Sequence, residues 1–120
     1  MRKGEIFFGK KGSDAIHPIV YLKYYDKNFF IGAMLTSSSN HADNILMSKT
    51  HFEKTDSINK KYKLYFKNSH FVKAKLLKKL EWAPFIKVGQ LTNIGIKFIK
   101  SCTKEKDPVF WEQYLKQTKK

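Results

Sequence analysis

Two residue types that often carry structure or recognition are nearly missing from this 120-residue chain, which has one cysteine, Cys102, and one arginine, Arg2. A single thiol excludes an intramolecular disulfide framework and leaves too little sulfur for a cysteine-built zinc site. With one arginine, the rigid fork that reads guanine edges or clamps a phosphate is scarce. No apolar run reaches the ~18 residues of a membrane span, and no leader-like apolar segment follows the start. A membrane partner is not expected, and a cytoplasmic protein is the default expectation. The Gly-rich phosphate loop, the paired-histidine zinc motif and the nucleophile elbow are also missing, so neither a metal nor another cofactor is expected.

What is present is lysine. Twenty-four basic residues face ten acidic ones, a net charge of +14, and all the bases but Arg2 are lysines. Residues 1–60 carry nine bases and six acids, residues 61–120 fifteen and four. Such a field gathers polyanions and speeds encounter, and nucleic acid is the commonest of them. Because lysine is a flexible point charge, the field suits attraction to a phosphate backbone better than sequence readout. The plain alternative is a lysine-rich soluble surface. At 42 % hydrophobic and 15 % aromatic residues, the chain has the composition of one compact folded domain.

Short apolar stretches separated by turn residues predict strands. Residues 4–9 read as a first strand between glycines, and residues 17–22 as a second, with Pro18 confined to its start or to an edge. A turn at residues 25–28 leads to a third strand over residues 29–35, making a hairpin. Residues 45–47 suit a short edge strand. Tyr62, Leu64 and Phe66 mark one face of a strand whose other face is mostly lysine, and residues 71–77 and 85–89 complete the set. Thr92 can cap a helix beginning near Asn93, with Ile94, Phe98 and Ile99 as its apolar stripe. Asp107-Pro108 signals a second helix start. No strand alternates with a long helix as a parallel sheet requires. The expected fold is mainly β: a small antiparallel barrel over residues 1–106, with one or two C-terminal helices, the last an extension over residues 107–120. Among Tyr21, Tyr24, Tyr25, Phe29 and Phe30, most are expected in the core or a dimer seam, with one stacking on a base.

Three polar places adjoin these strands: Ser13, Asp14 and His17; Thr36 and Ser37; Asn68, Ser69 and His70. If strand ends converge on one rim, they meet a phosphodiester on a basic surface. Metal-independent cleavage of RNA needs one group to take the 2′-hydroxyl proton, another to protonate the departing 5′-oxygen, and donors for the charged phosphorane. Histidine suits either proton task. His17, Thr36 and His70 are thus the candidate catalytic residues, and Lys10, Lys11, Ser13, Asp14, Ser37, Asn68, Lys73 and Lys75 the candidate contacts to nucleic acid. Each has a plainer reading: His70 as a turn cap, His17 and Thr36 as strand-end residues, Asp14 as a turn residue. A non-catalytic, lysine-rich barrel that binds RNA or DNA is the competing function.

The order of Gly4-Glu5-Ile6-Phe7, Gly12-Ser13-Asp14, His17-Pro18-Ile19-Val20-Tyr21-Leu22, Ala33-Met34-Leu35-Thr36-Ser37, the stretch 68–77 and Val88-Gly89-Gln90-Leu91-Thr92 resembles the PemK/MazF family of toxin ribonucleases over about residues 3–100. The resemblance implies an SH3-like barrel, commonly a homodimer, that cuts single-stranded RNA and is neutralised by an antitoxin protein. It places Thr36 on the family's hydroxyl after the third strand. His17 and His70 stand where the family carries arginines.

Overall fold

The computed structural model describes residues 2–9, 17–37, 44–64, 70–72, 76–79, 85–104, 107–109 and 113. Its elements are β1 (Glu5–Phe8), β2 (Ile19–Tyr24), β3 (Phe29–Thr36), β4 (Asn44–Leu46), a 3-10 turn (Lys49–His51), β5 (His70–Val72), β6 (Leu76–Lys79), β7 (Ile86–Gln90) and α1 (Asn93–Thr103). Asp26 makes the hairpin turn: its carboxylate accepts the N–H groups of Asn28 and Phe29, so β2 folds back on β3 with Ile19 opposite Met34. The other edge of β3 is shared, by β5 at Leu35 and Thr36 and by β6 at residues 29–32. The antiparallel sheet runs β4-β5-β3-β2-β1-β7, with β6 lying in the lane of β5. The sequence reads residues 71–77 as one strand, and the structure divides that stretch between two ladders on one lane.

The expected SH3-like barrel is not formed. Among the described residues no ladder joins β4 to β7, so the sheet stays open. A strand expected at Tyr62 and Leu64 contributes no ladder over residues 61–64. That stretch makes one bridge, Thr55 to Lys61, and single bonds from the Tyr62 N–H to the Lys54 carbonyl and from the Leu64 N–H to the Val88 carbonyl. Just upstream, Asp56 gathers the N–H groups of Ile58 and Lys60 and Asn59 adopts a φ of 62°, a tight loop that turns the chain back so that Lys61 bridges Thr55. Phe66, expected on the same strand, lies outside the described residues. The alternation itself was legible, since Leu64 packs against the core while Lys61 and Lys63 are exposed.

Two apolar layers flank the sheet. The larger, on the helix side, joins Ile6, Val20, Leu22, Ala33, Leu35 and Phe71 to Ile99 of α1. The smaller, on the opposite face, joins Ile19, Phe30 and Met34, with Tyr21, Phe85 and Val109 packed against them. The second helix start expected at Asp107-Pro108 is not helical over residues 107–109, where Val109 joins this smaller layer. Most of residues 110–120 lie outside the described set. Phe30 is buried and Tyr21 stacks on it, whereas Tyr24 and Tyr25 are exposed.

Thr92 caps α1 by accepting the Gly95 N–H at 3.1 Å. The expected stripe shifts by part of a turn: Ile96 and Ile99 pack inward with Phe98, and Ile94 is exposed. The reason is where the helix start is moored. The Thr92 N–H donates to the His51 carbonyl, and the Thr92 hydroxyl donates to the Thr50 carbonyl at 2.7 Å. The His51 ring stacks on Phe98 at 4.3 Å, and its Nδ1 accepts the Ser48 N–H. So close an approach requires glycine at position 95, because a Cβ there would lie 2.3 Å from the His51 carbonyl oxygen. An acid at this position, which a capping box would want, is therefore excluded by space.

Gly95→Ala is expected to destabilise the domain by about 1–3 kcal/mol, measured from the urea midpoint, despite alanine's better helix propensity. His51 supplies a pH prediction. Burial holds its pKa below the ordinary histidine value, so the folded state refuses a proton that the unfolded chain accepts. Its contribution to stability is complete above about pH 6.5 and is lost as pH falls through the depressed folded value. Unfolding free energy measured from pH 8 to 5 should decline more steeply, by up to about 1.4 kcal/mol per pH unit, in the wild type than in His51→Asn.

Candidate functional site

Strand register assembles the site. In an antiparallel ladder, residues directly opposite one another project from the same face, with Cβ atoms about 4.5–5.5 Å apart. Thr36 is directly opposite His70 across β3 and β5. On the other side of β3, the Leu35 N–H donates to the Pro18 carbonyl at 2.8 Å, which carries the β2–β3 register one step past Ile19 and Met34. His17 comes one residue before Pro18, at the bend where the chain enters β2. The register thus sets Thr36 and His70 side by side on neighbouring lanes, with Leu46 of β4 opposite His70 at the outer end and His17 at the entry to the third lane.

The row belongs to the face opposite α1. Thr36 is in phase with Met34 and Phe30, whereas Leu35 and Phe71, one step along each strand, point into the helix-side core. Pro18 helps here. Its missing N–H costs no ladder bond at the strand entry, and its carbonyl still ties the strand entry to β3. All three side chains are half-buried, Ser37 next to them is exposed, and Leu46 is 58 % exposed. Among the described residues, the row is bordered at its outer end by the exposed Leu46 and on its inner side by the buried pair Ile19 and Met34.

His70 carries an unusual feature. Its Nδ1 is buried and has no hydrogen-bond partner among the described residues. An unsatisfied buried acceptor or donor costs about 1–3 kcal/mol, so a structural role as a turn cap does not explain it. The entry to β2 lies two lane spacings from β5, about 10 Å between backbones, with β3 between them. In-line displacement at phosphorus calls for a group on each side, because the attacking and leaving oxygens lie opposite one another. Tyr21 lies four residues along β2 from His17, roughly 13 Å away, and burial followed by the neighbouring Tyr24 raises its pKa. It stacks on Phe30 instead of serving the row.

The other candidates divide plainly. Lys10, Lys11, Ser13, Asp14, Asn68, Lys73 and Lys75 lie outside the described residues. His51, whose carbonyl and ring moor the start of α1, is structural. Cys102 is half-buried on α1 against the core. Among the described residues no three His, Cys, Asp or Glu side chains come together as a metal-binding group, and no helix is long and apolar enough to cross a membrane. Sequence reasoning missed Leu46 as the outer neighbour of His70. An apolar residue on a short edge strand carried the signal, but only the β4–β5 register places it.

Comparison with protein-family models, with curated proteins and with solved structures gives no match, so the PemK/MazF resemblance rests on the order of the quoted motifs alone.

Proposed function

We propose that the chain is a metal-independent endoribonuclease acting on single-stranded RNA, with His17, Thr36 and His70 as its catalytic residues. The observation that carries the reading is the cross-strand pairing of Thr36 with His70, with His17 at the adjoining entry to β2, one step before Pro18. One imidazole takes the proton of the 2′-hydroxyl as that oxygen attacks phosphorus. The other gives a proton to the 5′-oxygen as its bond to phosphorus breaks, leaving a 2′,3′-cyclic phosphate and a 5′-hydroxyl. The Thr36 hydroxyl donates to a non-bridging oxygen on which charge develops. DNA, without a 2′-hydroxyl, is refused. The net charge of +14 draws the backbone in. The motif order supports the reading and the open sheet does not add to it. RNA as substrate implies a cytoplasmic site of action.

Incubation with a mixed-sequence single-stranded RNA, with and without chelator, should give new ends bearing a 2′,3′-cyclic phosphate in both cases. His70→Ala and His17→Ala should each lower the rate by about 10²–10⁴-fold while the circular dichroism spectrum and RNA affinity are largely kept. Equal cleavage by wild type and His17→Ala/His70→Ala removes the proposed site. Salt-sensitive binding of RNA and DNA alike, with no cut ends, turns the reading over to a non-catalytic, lysine-rich nucleic-acid binder.

A further inference from the structure

On the helix side, at the end of the β2–β3 hairpin away from the histidine row, the sheet and the last turn of α1 enclose a groove of about 620 Å³. Leu22, Ile31 and Pro108 form its apolar floor, and Lys3, Lys23, Lys100 and Lys104 stand around it. A register irregularity builds it. The β2–β3 ladder skips a residue between Tyr21 and Lys23, so Leu22 and Lys23 both line the groove although they are neighbours on a strand. Lys100 and Lys104 are four apart on α1, stacked on one face of its last turn.

Two of the lysines have an ordinary explanation, since cations at a helix C-terminus complement its dipole. Lys3 and Lys23 do not, because they arrive from before β1 and from the bulge. The Lys100 side chain, through its contact and then its charge, pushes the Lys3 pKa below the usual lysine range, with burial and Lys23 adding to it. None of the described residues lining the groove is acidic. Like charges held around an apolar floor disfavour the empty groove and favour an anion with an apolar body. The described lining has no aromatic ring, which bases of a nucleic acid need for stacking. An aliphatic floor instead suits an aliphatic side chain.

We propose that this groove binds an acidic peptide segment of a partner protein, seating one aliphatic side chain on Leu22, Ile31 and Pro108 while flanking carboxylates meet the four lysines. The site lies on the opposite face from the histidine row and does not rest on the nuclease reading.

The test uses the full chain and three dye-labelled ten-residue probes read by fluorescence anisotropy: eight glutamates with two central leucines, ten glutamates, and eight lysines with two central leucines. The Glu/Leu probe should bind, the all-glutamate probe about fivefold more weakly, and the lysine probe not at all. Lys23→Glu/Lys100→Glu should weaken the Glu/Leu probe about tenfold or more while the circular dichroism spectrum at the assay temperature is kept. Lys104→Glu, at an exposed position, gives a second variant with a loss in the same direction. Equal affinity for the two acidic probes, or no loss in either variant, overturns the proposal. So does single-stranded RNA that displaces the Glu/Leu probe and itself binds the double variant more weakly, because the groove would then be a nucleic-acid site. Cleavage of RNA is not read in any arm, so failure of the nuclease reading leaves this result intact.

Discussion

The structure depends on β3 being used on both edges and both faces. Its hydrogen bonds reach β2 on one side and β5 and β6 on the other, so it is the strand that every other lane is counted from. Its alternation sends Ala33 and Leu35 toward α1, and Phe30, Met34 and Thr36 to the opposite layer. Such two-sided burial requires a near-continuous apolar run, which is what residues 29–35 are. Close packing leaves one place where no side chain fits. A Cβ at Gly32 would stand 2.8 Å from Ile19 and 3.0 Å from the Val20 carbonyl, so glycine is the condition for β2 lying flat on β3. Because Thr36 ends this strand, the precision of its partner strands is what gives the histidine row its geometry.

The outer strand is held differently. β7 joins β1 through a ladder with a register shift at Ile6 and Phe7, and one ion pair spans the junction, Lys87 to Glu5 at 3.0 Å. Burial works to raise the Glu5 carboxyl, yet Lys87 and the Arg2 N–H together hold it below its ordinary pKa. The same lysine lies 5.6 Å from the centre of the Tyr62 ring, so one side chain links β1, β7 and the segment after the Asp56 loop. This is a partly exposed pair of modest strength. The ladder and the Val88 side chain beneath it carry more of the attachment.

Much of this fold was legible in the sequence where local chemistry decides. Asp26 wrote the hairpin turn, Thr92 the helix start, and the apolar runs at residues 5–8, 19–24 and 29–36 their strands, each through an interaction within a few residues. Closure was not legible, because whether β4 meets β7 depends on groups far apart in the chain. Ile94 was misread for the same reason: the helix face is chosen by the His51 carbonyl, which no periodicity within α1 can report. Of the candidate site, the three residue types were readable as chemistry at strand ends. The pairing of Thr36 with His70 was not, since a register one residue different would have turned His70 to the other side. The lysine groove escaped entirely. Its four members come from before β1, a bulge and a helix end, and a charge count shows that they exist without showing that they meet.

The lane that β5 and β6 share has one more property. From Leu35 to Gly32 the central strand takes three steps, while the opposing chain takes five from Phe71 to Leu76. The surplus is two, an even number, so inside and outside stay in phase from one ladder to the next. It works like a codon-sized insertion that preserves a reading frame. An odd surplus would set the two ladders out of phase, so that either β5 or β6 would turn its inward residues outward.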